Sequence, residues 1–134
     1  MRKENIDRKL QFLCSLGFSE KQMYKVSRSM PGILGLSEEK LKRNVDFLVK
    51  SQGLPLDDIV RYPLLLTCNL ERRIIPRYRV MEALKSMQLL KRISPHIVNY
   101  TDKKFLEKYV NGDPEYSSVL RSIYYGEKAV KADP

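Results

Sequence analysis

At 134 residues with 43% hydrophobic side chains, the chain is long enough for one folded domain with its own core and too short for several. No apolar run approaches the ~20 residues that a membrane-spanning helix needs, so no membrane association is expected. The net charge of +9 is uneven, at +5 in residues 1–50 and +5 again in residues 71–100 with the remainder near neutral; it fits either a polyanionic partner or a merely soluble basic surface.

The opening stretch, MRKENIDRKL, does not read as a targeting segment, because it carries Glu4 and Asp7 and enters an amphipathic pattern at once. Ile6, Leu10 and Leu13 stand at i, i+4 and i+7 and predict a helix that ends at Gly17. Ser19 and Gln22 then form a capping box, with Phe18 and Met23 placed as a hydrophobic staple, and the helix they start stops before Pro31. Ser37 caps the next long helix, whose stripe is Leu41, Val45 and Leu48 and whose end is Gly53. PLDDIVRY (55–62) is a short helix stopped by Pro63. Asn69 caps a third long helix with the stripe Ile74, Tyr78 and Met81; no glycine closes it, and SMQLL stands in that place. LLKRISPHIVNY (89–100) is a weaker short helix, opened by Lys91 and Arg92 and containing Pro95. Thr101 caps DKKFLEKYV, and a last helix is expected from Asp113, as cap with Pro114 in the first turn, to Gly126. Residues 127–134 read as a frayed tail.

These elements repeat. Pro31, Pro63 and Pro95 are 32 residues apart, and each opens a Pro-x-[Ile/Leu]-[Leu/Val] turn: PGIL, PLLL and PHIV. Six residues after each proline stands a capping residue, Ser37, Asn69 or Thr101. No alternating run bounded by hairpin turns suggests a strand. The reading is an all-α chain, an α-solenoid of about three to four helical-hairpin repeats over a single domain, residues 1–126.

The proline turn, then a Ser or Asn cap, an acidic residue and a basic amphipathic helix at this period resemble the mitochondrial transcription termination factor (mTERF) family. The likeness to plant members is strongest in LERRIIPRYRVMEAL (70–84) and FLEKYV (105–110). The resemblance implies a solenoid with two α-helices and a 3₁₀ turn per repeat, and binding of double-stranded DNA, or RNA in some members, along a basic concave surface. It also implies a role in mitochondrial or chloroplast gene expression, such as transcription termination or RNA processing. More repeats and a presequence belong to the family pattern; this sequence displays neither.

RRIIPRYR (72–79) places four arginines in eight residues. On a helical wheel Arg72, Arg73, Arg77 and Arg79 lie opposite Ile74, Tyr78 and Met81, which predicts a solvent-facing guanidinium strip suited to phosphate, with Pro76 bending the helix on its exposed side. The preceding unit has Glu39, Lys40, Asn44 and Asp46 at the same positions, so the arginine set reads as special to the third repeat. Lys91 and Arg92 could extend the strip. Lys40, Lys42 and Arg43 form a second cluster, interleaved with acids and equally readable as surface ion pairs. Arg28 and Arg61, just before two of the repeat prolines, could recur along one edge. Tyr62, Tyr78 and Tyr100 read as core.

Little points to catalysis. His96 is the only histidine, GILGLS (32–37) lacks the lysine of a phosphate-binding loop, and Cys14 and Cys68 have no zinc spacing and read as buried free thiols. No enzyme, cofactor, metal or small-molecule substrate is expected, and the chain reads as a monomer. The rival readings are a protein-interaction scaffold, an RNA binder assisting organellar splicing, and a single-strand RNA binder of the pentatricopeptide kind.

Overall fold

The computed structural model describes residues 3–126, and among these residues there is helix and turn but no strand. The expected frayed tail, 127–134, lies outside the described residues. The chain divides into two compact units, Met1–Cys68 and Asn69–Pro134.

In the first unit, α1 (Lys3–Ser15) leads to α2 (Glu20–Ser29), a 3₁₀ turn (Pro31–Gly35) and α3 (Glu38–Asp46), which runs on through a π turn (Phe47–Ser51); α4 (Leu56–Arg61) and the single-turn α5 (Leu64–Thr67) complete it. α2 packs on α1 and α4, and α3 packs on α5. The capping box is made in both directions: Ser19 N–H donates to Gln22 Oε1 at 2.8 Å, and Gln22 N–H donates to Ser19 Oγ at 3.1 Å. Phe18 and Met23, flanking it, are both buried. The apolar stripe of α3 is fully inside, with Leu41, Val45 and Leu48 at 4% exposure or less, and each such side chain contributes about 1.5–3 kcal/mol by leaving water. In α1 only Leu13 is buried, and Ile6 and Leu10 are half-covered.

In the second unit a π turn (Leu70–Ile74) runs straight into α6 (Ile75–Ser86). A 3₁₀ turn (Pro95–Asn99), α7 (Asp102–Phe105) with its own π turn (Leu106–Val110), and α8 (Ser117–Tyr125) follow, and α6 packs on α8. The π turn explains how a helix passes Pro76. Ile75 N–H already donates five residues back, to Leu70 O, so the register changes at the point where the proline has no amide to give. Pro76 is half-buried and lines an open groove.

Two expected elements differ. Residues 88–94 form no helix, so Lys91 and Arg92 lie in an irregular connection; Ser94 is extended (φ −94°, ψ 135°), as a residue before proline tends to be. The last helix starts at Ser117, because Asp113 closes a turn of its own, its Oδ1 accepting from Glu115 N–H at 3.0 Å.

The helix ends share one device. Gly17 and Gly53 take positive φ (110° and 67°), and the next residue's amide reaches back to a leucine carbonyl: Phe18 to Leu13 O, Leu54 to Leu48 O. In the third repeat Gln88 adopts φ 63° and Leu89 N–H donates to Leu84 O, so a glutamine stands where the other repeats have glycine.

Candidate nucleic-acid interface

The arginine segment begins as the cap dictates. Asn69 Oδ1 accepts from Arg72 N–H at 2.8 Å; Ser37 Oγ and Thr101 Oγ1 accept from Lys40 and Lys104 N–H, both at 3.1 Å. From that start the four arginines part company. Arg72 and Arg79 are exposed. Arg77 is 1% exposed, which corrects the expected outward strip. Its Nη1 donates to Ile97 O and Tyr100 O, each at 2.7 Å, its Nη2 pairs with Asp102 Oδ1 at 2.8 Å, and its guanidinium carbon sits 5.0 Å from the Phe105 ring centre. Arg73 is half-buried, and its Nη2 donates to Val98 O and Tyr100 O, both at 2.9 Å. The wheel fails here because the side of α6 away from the apolar stripe also packs, against the Pro95–Asn99 turn, whose last carbonyls need donors.

Nor are these positions special to one repeat. Lys40 Nζ donates to Cys68 O at 2.9 Å, and buried Asn44 Nδ2 donates to Leu65 O and Cys68 O at 3.0 and 3.1 Å. Lys9 Nζ donates to Leu36 O. In each repeat a cation of the long helix reaches the carbonyl five residues after the repeat proline: Leu36, Cys68 or Tyr100. Lys9, Lys40 and Arg73 are therefore staples between helix and turn, and Arg77 and Asn44 deepen the same contact.

The other cations fall into two groups. Lys42 pairs with Asp46 at 2.7 Å, with Lys50 at 3.7 Å from the same carboxylate, which holds Asp46 below the usual carboxylate range chiefly through the Lys42 hydrogen bond. Arg43 is exposed but engaged. Arg79 lines an open groove of about 920 Å³ together with Glu71 and Glu82, so it sits in a mixed field. Lys91 and Arg92 are exposed.

A further positive feature lies in the first unit, between α2 and α4. Lys21, Tyr24, Lys25 and Arg28 stand at i, i+3, i+4 and i+7 on α2, opposite buried Met23 and Val26. With Arg61 and Asp57 of α4 they line an open groove of about 940 Å³. Asp57 Oδ1 is taken by Gln22 Nε2 at 2.7 Å, and none of the four cations has a carboxylate within ion-pair distance among the described residues. Tyr24 is 62% exposed, with the Arg28 guanidinium carbon 5.5 Å from its ring centre. The helical spacing of the α2 cations is visible in the sequence, whereas only the packing of α4 on α2 brings Arg61 beside them.

A polar–aromatic chain occupies the third proline turn. His96 Nδ1 lies 2.9 Å from Ser94 Oγ and its Nε2 3.2 Å from Tyr100 Oη, to which Lys108 Nζ donates at 2.9 Å. That hydrogen bond holds the Tyr100 phenol below its ordinary range and Lys108 above its own, whereas burial pushes Tyr109 and Tyr124 up. Tyr78 is buried; Tyr62 and Tyr100 are half-buried. Cys14 is exposed and Cys68 intermediate, so neither is the buried thiol expected. GILGLS falls on the 3₁₀ turn and the cap. No trio of His, Cys, Asp or Glu among the described residues could hold a metal ion, and no described helix is long and apolar enough to cross a membrane.

Proline turn, forward-reaching cation and capped long helix define a helical-repeat protein. The mTERF family profile matches residues 1–106, and the chain belongs to that family. Among curated proteins it is similar to "Transcription termination factor MTERF15, mitochondrial" of Arabidopsis thaliana, 29% identical over 73 residues, and to "Transcription termination factor MTERF2, chloroplastic" of the same plant, 29% identical over 72. Each alignment covers 54% of this chain but 16% and 11% of those proteins, so the chain spans a small part of their length. No solved structure matches.

Proposed function

We propose that this chain is a non-catalytic nucleic-acid-binding protein of mitochondrial or chloroplast gene expression that grips a duplex, DNA foremost, through its phosphates. The observation that carries the reading is the α2–α4 groove, where four cations stand without a carboxylate partner among the described residues. Cations left unpaired in a groove attract a polyanion and give contacts that fix position without reading sequence. Exposed Arg72, Arg79, Lys91 and Arg92 supply further phosphate contacts, whereas Arg73, Arg77 and Lys40 act by holding the fold. The family and the names of its plant relatives support an organellar role in transcription termination or associated RNA processing.

The test is fluorescence anisotropy with a labelled duplex DNA, the matching duplex RNA and each single strand, across a salt series. Duplex affinity is expected to fall steeply with salt, and Lys25→Ala with Arg28→Ala and Arg61→Ala to flatten that slope by up to ~3, near one for every phosphate no longer neutralised. Absence of binding to every probe at low salt would overturn the reading and favour a protein-interaction scaffold. A monomer by light scattering is the expected oligomeric state.

A further inference from the structure

We propose that Ser94 is a phosphorylation site for a proline-directed serine kinase, and that the phosphate, once attached, takes Lys91 and Arg92 out of polyanion binding. Of the seven prolines in the chain only Pro95 follows a serine or threonine. The third repeat also presents that position differently from the other two. Met30 and Tyr62, which precede Pro31 and Pro63, end helices, and their amides donate back to Val26 O and Asp58 O. Ser94 follows no helix, since residues 88–94 are irregular, and it is itself extended (φ −94°, ψ 135°), the form in which a kinase cleft receives its substrate. Pro95 has no amide to donate, so a cleft that offers no acceptor at the next position takes this site and turns away the other serines and threonines, whose following amide would be left unpaired. The Ser94 hydroxyl is held by local contacts alone, its Oγ accepting from His96 N–H at 3.4 Å and lying 2.9 Å from His96 Nδ1. In the transfer, Ser94 Oγ bonds to the γ-phosphorus of a nucleoside triphosphate as the bond from that phosphorus to the bridging oxygen breaks; nucleoside diphosphate leaves and the hydroxyl proton passes to the base of the kinase. The product carries about −1.5 to −2 charge and strong acceptor oxygens. It stands beside His96 and just after Lys91 and Arg92, which are exposed and have no carboxylate partner among the described residues. Those two cations then pair with the phosphate of their own chain instead of with that of a duplex. This loss of duplex contact rests on the nucleic-acid reading above; the modification itself does not.

In the experiment, folded wild-type protein is incubated with a proline-directed serine kinase and ATP, and tandem mass spectrometry locates the modified residue. A single phosphoryl group on Ser94 is expected; Ser94→Ala should take up none, Ser94→Thr should remain a substrate and Pro95→Ala should lose the label. No label on the folded wild-type protein, equal label on Ser94→Ala, or label that survives Pro95→Ala would overturn the site. Anisotropy across a salt series then compares the two forms. The phosphorylated protein should bind duplex DNA with a salt slope lower by ~2, one for each cation withdrawn, and unmodified Ser94→Ala should match the unmodified wild type. An unchanged slope would overturn the effect on binding and leave the site standing. Failure of the unmodified protein to bind any duplex would remove the nucleic-acid reading and that effect together, while the mass spectrum still decides the site. Circular dichroism of each variant separates a lost acceptor from a lost fold.

Discussion

Arg77 decides what most of the arginine run is for. A guanidinium at 1% exposure is tolerated only when its donors are met, and here two turn carbonyls, one carboxylate and a ring face meet most of them. Arg77→Ala takes the nearest donor from Ile97 O, leaves Tyr100 O to Arg73 alone and empties a fully buried volume, so it should cost ~3 kcal/mol in urea unfolding, and Arg77→Lys should recover only part because an ammonium has no fork. Arg72→Ala, on the exposed side, should stay within ~0.5 kcal/mol. Tyr100 offers a second check at this scale. Its depressed phenol means that the native state sheds a proton before the unfolded chain does, so this group adds stability as pH rises toward the ordinary phenol value of about 10; Tyr109 and Tyr124, raised by burial, remove stability above it. Ultraviolet titration should resolve one early tyrosine, and Lys108→Ala should move it back toward the ordinary range, the Tyr109 hydrogen bond still acting on it. Residue roles of this kind were poorly legible in the sequence. A wheel separates an apolar stripe from its opposite face, but it does not reveal that the opposite face meets a turn full of unpaired carbonyls.

At the scale of elements the sequence is a better guide, because caps and stops act locally. Ser37, Asn69 and Thr101 each accept a first-turn amide, and replacing any of them by alanine should cost ~1 kcal/mol. The long-helix stripes are legible because their leucines, valines and isoleucines recur at helical spacing and have one place to go. The segment after α6 is the exception, since an apolar–basic run looks helical until Pro95 forces its predecessor to extend. Gln88 is the other consequence of local chemistry. A side chain at φ 63° is strained where glycine is not, so Gln88→Gly should raise stability by ~0.5–1 kcal/mol, the relief of a left-handed residue less the entropy that glycine adds to the unfolded chain. Thermal melting of the variant checks it. The opposite change, Gly53→Gln, should lower the melting temperature.

Over the whole molecule, the 32-residue proline period was legible because a proline turn is punctuation that packing cannot hide. The division after Cys68 was not, since no glycine- or serine-rich linker marks it. The +9 charge is likewise a property of the whole, and its meaning changes once staples are set apart from free cations. Lys9, Lys40, Arg73 and Arg77 serve folding; the α2–α4 cations stay available to a partner. Arg73→Ala should therefore alter unfolding more than salt-dependent binding, and Arg61→Ala the reverse, so measuring both quantities on both variants separates the two populations.

The forward-reaching staple has a consequence for how such a chain can grow. Donor and acceptor lie 27 or 28 residues apart and always fall within one stretch that ends just before a cap: Lys9 with Leu36, Lys40 with Cys68, Arg73 with Tyr100. Residues 37–68 and 69–100 are thus self-sufficient in these hydrogen bonds, each bringing the cation and the carbonyl it needs. A duplication of either stretch would insert a new repeat with its turn already satisfied, whereas an insertion or deletion of part of a repeat between cation and carbonyl would separate a half-buried donor from its acceptor. Lengthening and shortening by whole repeats is the kind of change this architecture tolerates, and the joint between Cys68 and Asn69 is one of the places where it can happen.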